Sequence, residues 1–394
     1  MYMEKARSQR DGTVDVDFMT DCERQLRTPL DVWAGNLSSS LESISRDGWS
    51  QSRVRSAAAH MNLAALVVAN AGDLPSAERL CRTQLTWLAQ VASESGDVSV
   101  LGSAVQPWVN LGRLHVLTGS IEESLPHFRL AEHLRDRKPV RLGPCRIQAD
   151  MWQPLVAAEP DLPDVLWNVF VLDQLKAHLR TGDPARALSA AVTLREAAPA
   201  GTYRYIVEGE IIALLRSSRA EDALQLVAQA GPATTSDEIA FLLHQIAAAT
   251  SLRRSEDARR LATGLSAFVT QSDLPSAEPA TFLRQLKQLA YLLERLGEPH
   301  YALAVHLHGM RTCHERMDEP LFLNFIEGAL RLAPEHGSAS HWRSAREDLL
   351  ASSLYAEVRR RRGASAALDH PSLRELVVSV EATAARVGPY VPAV

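Results

Sequence analysis

The sequence is poor in several features that commonly reveal a function. Its 394 residues include only four cysteines, Cys22, Cys81, Cys145 and Cys313, and they form no CxxC pair. Neither a disulfide framework nor a structural zinc site can be read from them, and we expect a reducing, cytoplasmic compartment. No apolar run approaches 18 residues, and none follows the charged N-terminus. We therefore expect neither a membrane span nor export.

Motifs for catalysis and cofactor binding are also missing. The chain has no GxGxxG, GxxxxGK[ST], HExxH or GxSxG motif and no EF-hand loop, so we predict no catalytic residue, cofactor or metal. The net charge of −5 gives no global electrostatic reason to bind nucleic acid or an anionic membrane. What remains is an ordinary globular composition, with 46% hydrophobic residues. Its Ala- and Arg-rich, Lys-poor character is typical of a high-GC bacterium.

Helical periodicity and one repeated turn dominate the chain. Apolar residues recur at three- and four-residue spacing, as in Leu286, Leu289, Ala290 and Leu293, which predicts an all-α fold without strands. A seven-residue turn returns six times, as AGDLPSA, TGSIEES, TGDPARA, SSRAEDA, LRRSEDA and LGEPHYA, ending at Ala77, Ser124, Ala187, Ala223, Ala258 and Ala302. Glycine often holds the second place, where a left-handed residue closes a helix. The small last residue lets two antiparallel helices approach, so the pattern predicts repeated helical hairpins.

One copy carries a longer pattern, made of Trp108, Leu111, Gly112, His115, Gly119, Ser124, Phe128 and Ala131. It resembles the tetratricopeptide repeat (TPR) family, whose 34-residue unit opens W-x2-L-G-x2-Y, with His115 in place of the Tyr. A second copy keeps Gly182, Ala187 and Pro199 but has Val171 and Leu175 where the Trp and first Gly are expected. The resemblance implies an α-solenoid, a right-handed superhelix of TPR-like hairpins with capping helices at both ends.

The repeat register divides the chain into five segments. We predict an N-terminal helical cap at 1–50, first TPR-like repeats at 51–137, a Pro-rich insertion or hinge at 138–164, a second block of repeats at 165–330 and C-terminal capping helices at 331–394. Five prolines interrupt any long helix in the third segment.

The resemblance also implies a concave groove lined by the first helix of each pair. The groove-facing candidates are Asn62, Val109, Arg113, Leu172, Lys176, Arg180, Tyr205, Glu208, Arg216, Arg284, Lys287 and Tyr291. Six of these are cationic, which favours an acidic segment or a C-terminal carboxylate as ligand. The alternative is that some of them merely solvate the groove.

Two other clusters have a chemical and a structural interpretation. His306, Met310, Cys313 and Met317 form one stripe of the helix from His300 to His314 and beyond, and could offer soft metal ligands, but Met and Cys are also ordinary core residues. Basic stretches at 129–146 and 359–362 could meet phosphates. Without aromatic interleaving or a helix-turn-helix pattern, we interpret them as solvated helix ends and expect no direct nucleic-acid binding.

Three functions remain open. The first is a non-catalytic TPR-like scaffold or regulatory protein that binds a peptide or protein partner in its groove. The second is a ligand-responsive bacterial regulator that acts through a partner. The third is an enzyme, or an accessory subunit of a biosynthetic enzyme, that uses His178, Glu208, Glu210, His244 or the His300–His314 helix in a groove pocket. The sequence leaves self-association open.

Overall fold

The computed structural model describes residues 50–70, 73–136, 138–180, 182–197, 203–232, 234–271, 279–316 and 319–352, together with residues 39 and 378. Within them the fold is helical apart from one short β-hairpin, which confirms the all-α class in its broad form. The described residues divide into two compact units, of which the first holds residues up to 180 together with residue 378 and the second holds residues 182–352.

The first unit starts with two helical hairpins. Helices α1 (Gln51–Asn70) and α2 (Leu74–Ser95) pack together, and a 3₁₀ segment (Val98–Ala104) leads into the pair α3 (Val105–Thr118) and α4 (Ile121–Phe128). The rest of the unit is α5 (Leu130–Arg135), β1 (Val140–Leu142), β2 (Cys145–Ile147), a 3₁₀ turn (Ala149–Met151), α6 (Trp152–Ala158), α7 (Leu162–Asn168), a π-helical turn (Val169–Asp173) and α8 (Gln174–Arg180).

The second unit is built from consecutive antiparallel helices. They are α9 (Pro184–Ala197), α10 (Tyr203–Arg216), α11 (Ala220–Gln229), α12 (Thr235–Ser251), α13 (Ser255–Gln271), α14 (Pro279–Arg295), α15 (Pro299–Arg316), α16 (Glu319–Leu332) and α17 (Ala339–Ser352). Each helix packs against the next, while α10, α12 and α14 contact one another in order and α13 contacts α15. One apolar core cluster runs from α10 to α16, and a second cluster joins α16 to α17.

The repeated turn has the conformation that its sequence indicates. The last residues of the six turns, Ala77, Ser124, Ala187, Ala223, Ala258 and Ala302, are all 0% exposed. Gly119, Gly182 and Gly297 have positive φ at the second place. Ser218 and Arg253 hold the same place in the two turns that lack glycine, and they too are left-handed, with φ of 60° and 59°. The turn geometry is thus kept even where the sequence supplies a side chain.

The expectation that the chain has no strand is wrong for one segment. Strands β1 and β2 pair antiparallel, with Leu142 opposite Cys145, and Gly143 makes the tight turn at φ +63°. Pro139 and Pro144 exclude a helix here. Leu142, Cys145 and Ile147 are buried, because the hairpin packs one face against α2.

The Pro-rich segment at 138–164 is anchored within the first unit. The Cys145 thiol donates to the Leu85 carbonyl of α2 at 3.2 Å. Arg55 of α1 donates from Nη2 to the Ala158 carbonyl at 2.7 Å and lies 3.5 Å from the carboxylate of Glu159. These contacts join the segment to the first two helices of the chain's described part.

The predicted end caps fall largely outside the described residues. Of the segment 1–50 only residues 39 and 50 are described, and of 331–394 only residues up to 352 and residue 378. Helix α17 lies in this last segment and packs on α16. Across the described ranges, no helix combines the length and the hydrophobicity that crossing a bilayer requires.

Candidate functional site

An arginine–aspartate pair links two distant helical segments of the first unit. Arg113 of α3 donates from Nε to Asp173 Oδ1 at 3.0 Å and from Nη2 to Oδ2 at 2.8 Å. The Asp173 side chain is 7% exposed, whereas that of Arg113 is 43% exposed. A buried carboxylate is stable only when it is paired, and two parallel bonds fix the plane of the guanidinium. Arg113 is therefore held at the surface in one orientation.

Two asparagines extend this pair onto a third helix. Arg113 Nη1 donates to Asn110 Oδ1 at 3.4 Å, and Asn110 Nδ2 donates to Asn62 Oδ1 of α1 at 2.6 Å. Arginine has only donors, so it fixes which end of each amide faces its neighbour. The chain of donors runs from Arg113 through Asn110 to Asn62, and it ends on the Nδ2 group of Asn62. We call Asn62, Asn110, Arg113 and Asp173 the amide network.

Local structure places these side chains on adjoining faces. Asn110 and Arg113 are three residues apart in α3 and therefore share one face of that helix. Asp173 is the last residue of the π-helical turn that precedes α8. Such turns are rare and occur often at functional sites, because they change which residues face a neighbour.

The structure thus brings together two of the predicted groove residues, Asn62 and Arg113, through two residues that the sequence analysis missed. Asn110 and Asp173 each lie one helical turn from a predicted residue, Arg113 or Lys176, so helical spacing could have nominated them. Lys176 is half-buried and Arg180 exposed on α8, the helix that follows Asp173.

Two predicted groove positions are placed differently. Val109 is 1% exposed and belongs to the core, because its place beside Asn110 rotates it about 100° towards the hairpin interior. Glu208 of α10 is 3% exposed, so its carboxylate is buried. The side chains of Leu172 and Tyr205 lie outside the described part of the chain.

The remaining predicted residues lie in the second unit. Arg216 is half-buried at the last residue of α10, and Arg284 is half-buried on α14. Lys287 and Tyr291 are exposed on α14. One turn beyond Tyr291, Arg295 donates from Nη1 to the Tyr291 hydroxyl at 3.1 Å. Arg295 is not among the predicted groove residues, although its helical spacing places it on the face of Tyr291.

A second polar cluster joins three helices beside this face. His306 of α15 is 6% exposed, and its Nε2 lies 3.0 Å from Glu294 Oε1 of α14. Arg331 of α16 donates from Nη2 to both oxygens of Glu294, each at 2.8 Å. Burial alone would raise the pKa of Glu294, but the hydrogen bonds and charges of His306 and Arg331 outweigh it and hold that pKa below its usual value. Glu294 is therefore an ionised carboxylate with two partners.

Glu210, His244 and His178, which the sequence offered as candidates for catalysis, are buried. Burial raises the pKa of Glu210, and Arg195, whose Nη1 donates to Glu210 Oε2 at 2.8 Å, opposes that change. His244 is 1% exposed, and burial lowers its pKa to about 4. His178 is buried in α8. These residues are placed inside the packing of their helices.

The predicted His–Met–Cys stripe is part of the core where it is described. Cys313 is 0% exposed, Met310 packs against the core and His306 is held by Glu294. The side chains of His314 and Met317 lie outside the described residues. Among the residues that the structure describes, no three His, Cys, Asp or Glu side chains are arranged to hold a metal ion.

Comparison with known proteins adds no assignment, since no protein-family model and no curated protein matches this chain.

Proposed function

We propose that the protein is a non-catalytic, TPR-like scaffold that binds a peptide or protein partner along a groove of stacked helical hairpins. The support for a right-handed α-solenoid is the recurrence of one turn geometry along the chain, with a left-handed second residue and a buried small last residue. Stacked hairpins of this kind present a long surface while each unit contacts only its neighbours.

The amide network is the observation that carries the proposal. It connects α1, α3 and the turn before α8, which belong to successive parts of the first unit. The Arg113 side chain at the edge of this network is 43% exposed, so it lies within reach of a ligand. Donors that are already fixed by neighbours lose little freedom when a ligand binds, and this favours affinity.

The chemistry of the network indicates what it would bind. Its terminal group, Asn62 Nδ2, is a donor. A donor needs an acceptor, and the carbonyls of an extended peptide supply acceptors at regular spacing. Lys176 and Arg180 add positive charge on α8, which favours carboxylates beside those carbonyls.

The test uses a displayed library of random dodecapeptides, panned on the purified full-length protein. Peptides that are enriched are resynthesised, and their Kd is measured by calorimetry for the wild type and for Asn62→Asp. This variant keeps Oδ1 for Asn110 but replaces the terminal donor by a carboxylate oxygen. We expect its affinity to fall at least tenfold, since a carboxylate opposite a carbonyl repels it.

Gln153→Glu is the matched control, because Gln153 is exposed on α6 and the charge change is the same. It should bind as the wild type does. Failure to enrich any peptide, or equal Kd values for Asn62→Asp and Gln153→Glu, would contradict the proposed site. Circular dichroism melts of each variant establish that folding is unchanged.

A further inference from the structure

One face of α14 in the second unit is a cationic stripe. Arg284, Lys287, Tyr291 and Arg295 follow one another at offsets of three, four and four residues. They lie within about 80° of the helix circumference and span about 16 Å along its axis. We call these four residues the α14 stripe. It carries three cations and no acidic residue.

The nearest carboxylate of α14 is already occupied. Glu294 lies at the edge of the stripe, and both its oxygens accept from Arg331 while Oε1 also meets His306. A carboxylate with two cationic or imidazole partners competes weakly for a third. The charge of Arg295, its sequence neighbour, is therefore not consumed by Glu294.

Tyr291 organises the distal part of the stripe. The tyrosine is 41% exposed, and its hydroxyl accepts from Arg295 Nη1 at 3.1 Å. The Arg295 guanidinium carbon lies 5.9 Å from the centroid of the Tyr291 ring, within the range of a cation–π contact. One of the five N–H groups of Arg295 is thus used to fix the side chain, and the rest stay available for an anion.

We propose that the α14 stripe docks an acidic peptide segment, with alternate carboxylates along an extended strand. In such a strand, side chains on one side repeat about every 7 Å, so three of them span nearly the length of the stripe. Arg295 supplies charge-assisted hydrogen bonds, Arg284 and Lys287 add positive charge along the stripe, and Tyr291 supplies an exposed ring against the peptide backbone. The inference names a partner chemistry for the binding function proposed above and rests on it, and it concerns residues of the second unit.

Fluorescence anisotropy with a fluorescein-labelled peptide, Glu-Ala-Glu-Ala-Glu-Ala-Glu, tests this docking on the full-length protein. The stripe variant combines Arg284→Gln, Lys287→Gln and Arg295→Gln. We expect its Kd to rise at least tenfold and its dependence on salt to flatten, because screened charge pairs supply the affinity. The control variant combines Arg219→Gln, Arg260→Gln and Arg311→Gln, which are exposed elsewhere in the second unit and change the net charge equally. It should bind as the wild type does.

Three results would overturn the docking proposal. The first is no binding of the acidic peptide at low salt, and the second is an equal loss of affinity in both triple variants. The third is equal or tighter binding of a twelve-nucleotide oligothymidine, which would make the stripe a nucleic-acid surface. Asn62→Asp separates this proposal from the preceding one, because it should leave the affinity for the acidic peptide unchanged while it lowers the affinity for the library peptides at least tenfold.

Discussion

Phe325 of α16 packs its ring against the bare backbone of Gly309 in α15. A methyl group at Gly309 would stand 2.6 Å from Cε1 of that ring, closer than any real contact. The relationship is reciprocal along the same pair of helices, because the imidazole of His306 lies over Gly328 in the same way. Two rings and two glycines thus interlock α15 with α16, and Phe325 is 1% exposed.

We expect Gly309→Ala to lower the free energy of unfolding by about 1–3 kcal/mol, the usual cost of an overpacked core. Phe325→Leu in the same chain should recover part of this loss, because it removes the ring edge that the methyl group meets. Urea denaturation of both single variants and the double variant measures the coupling.

Gly264→Ala serves as the control, since nothing lies within 4 Å of a methyl group there. Gly264 is exposed in α13, and alanine has the higher helix propensity. Gly264→Ala should therefore stabilise the protein by about 0.5–1 kcal/mol. Loss of stability at Gly264 similar to that at Gly309 would show that the ring contact is not the cause.

The left-handed non-glycine residues of the repeated turns predict stabilising substitutions. A left-handed conformation costs an ordinary residue roughly 1–2 kcal/mol, a strain that glycine avoids. Glycine loses more conformational entropy on folding, and this loss offsets part of its advantage. Arg253→Gly should therefore raise the free energy of unfolding by about 0.5–1 kcal/mol, and Ser218→Gly should act in the same direction. Thermal melts followed by circular dichroism give the sign directly.

Arg260→Gly is the matched exposed arginine in the interior of α13. It should destabilise by about 1 kcal/mol. If Arg253→Gly were as destabilising as Arg260→Gly, the left-handed geometry at position 253 would be refuted.

Two buried histidines predict a loss of stability between pH 7 and pH 5. Burial lowers the pKa of His127 to about 4, against a backbone hydrogen bond to the Trp108 carbonyl that raises it, and burial lowers the pKa of His244 to about 4. The unfolded chain takes up protons near pH 6.5 and the folded chain does not. Stability is therefore complete above pH 6.5 and falls as the pH drops, by about 2 kcal/mol for each histidine at pH 5.

His244→Gln and His127→Gln, unfolded in urea at both pH values, isolate these contributions. Each should reduce the pH-dependent loss by about 2 kcal/mol relative to the wild type. The raised pKa values of Glu159 and Glu210 increase the free energy of unfolding as the pH falls, which opposes the effect of the histidines. The test therefore compares the pH-dependent loss of each variant with that of the wild type. An unchanged loss in His244→Gln would disprove its neutral, buried state.

The described cysteines should be inert in the folded protein. Burial raises the pKa of Cys81 and of Cys145 to about 12, and Cys313 is 0% exposed. Since the thiolate is the reactive species, a Cys22→Ser variant should not react with Ellman's reagent at pH 8 until it unfolds. In denaturant three thiols should react. Rapid modification of one thiol under native conditions would contradict the placement of that cysteine.

The helical class and the hairpin turns could be predicted because they depend on local sequence. Spacing of apolar residues sets a helix face, and a small residue such as Ala223 or Ala258 is needed wherever two helices approach. The left-handed conformation at the second place of the turn could be predicted only where glycine holds that place. Ser218 and Arg253 show that the same conformation is kept without glycine.

The surroundings of a side chain could not be predicted where they depend on a one-residue shift in helix register or on a partner that is distant in sequence. Val109 was predicted to face the groove, but it is 1% exposed, because a shift of one residue turns a helix by about 100°. Its neighbour Asn110 is also buried and bonds to Asn62 of another helix. The hairpin at 140–147 could not be predicted, because a strand of three residues is too short to show a clear alternation of apolar and polar residues. Its burial against α2 is a tertiary contact.

The helical class and the repeated turn follow from the amino-acid sequence alone, because they depend on neighbours a few residues apart. The contacts of the charged residues depend on folding. Arg113 looks like a free cation in the sequence, but folding brings Asp173 to it from 60 residues away, since a buried carboxylate must find a partner. Glu294 is likewise paired with Arg331 of another helix, 37 residues away in sequence.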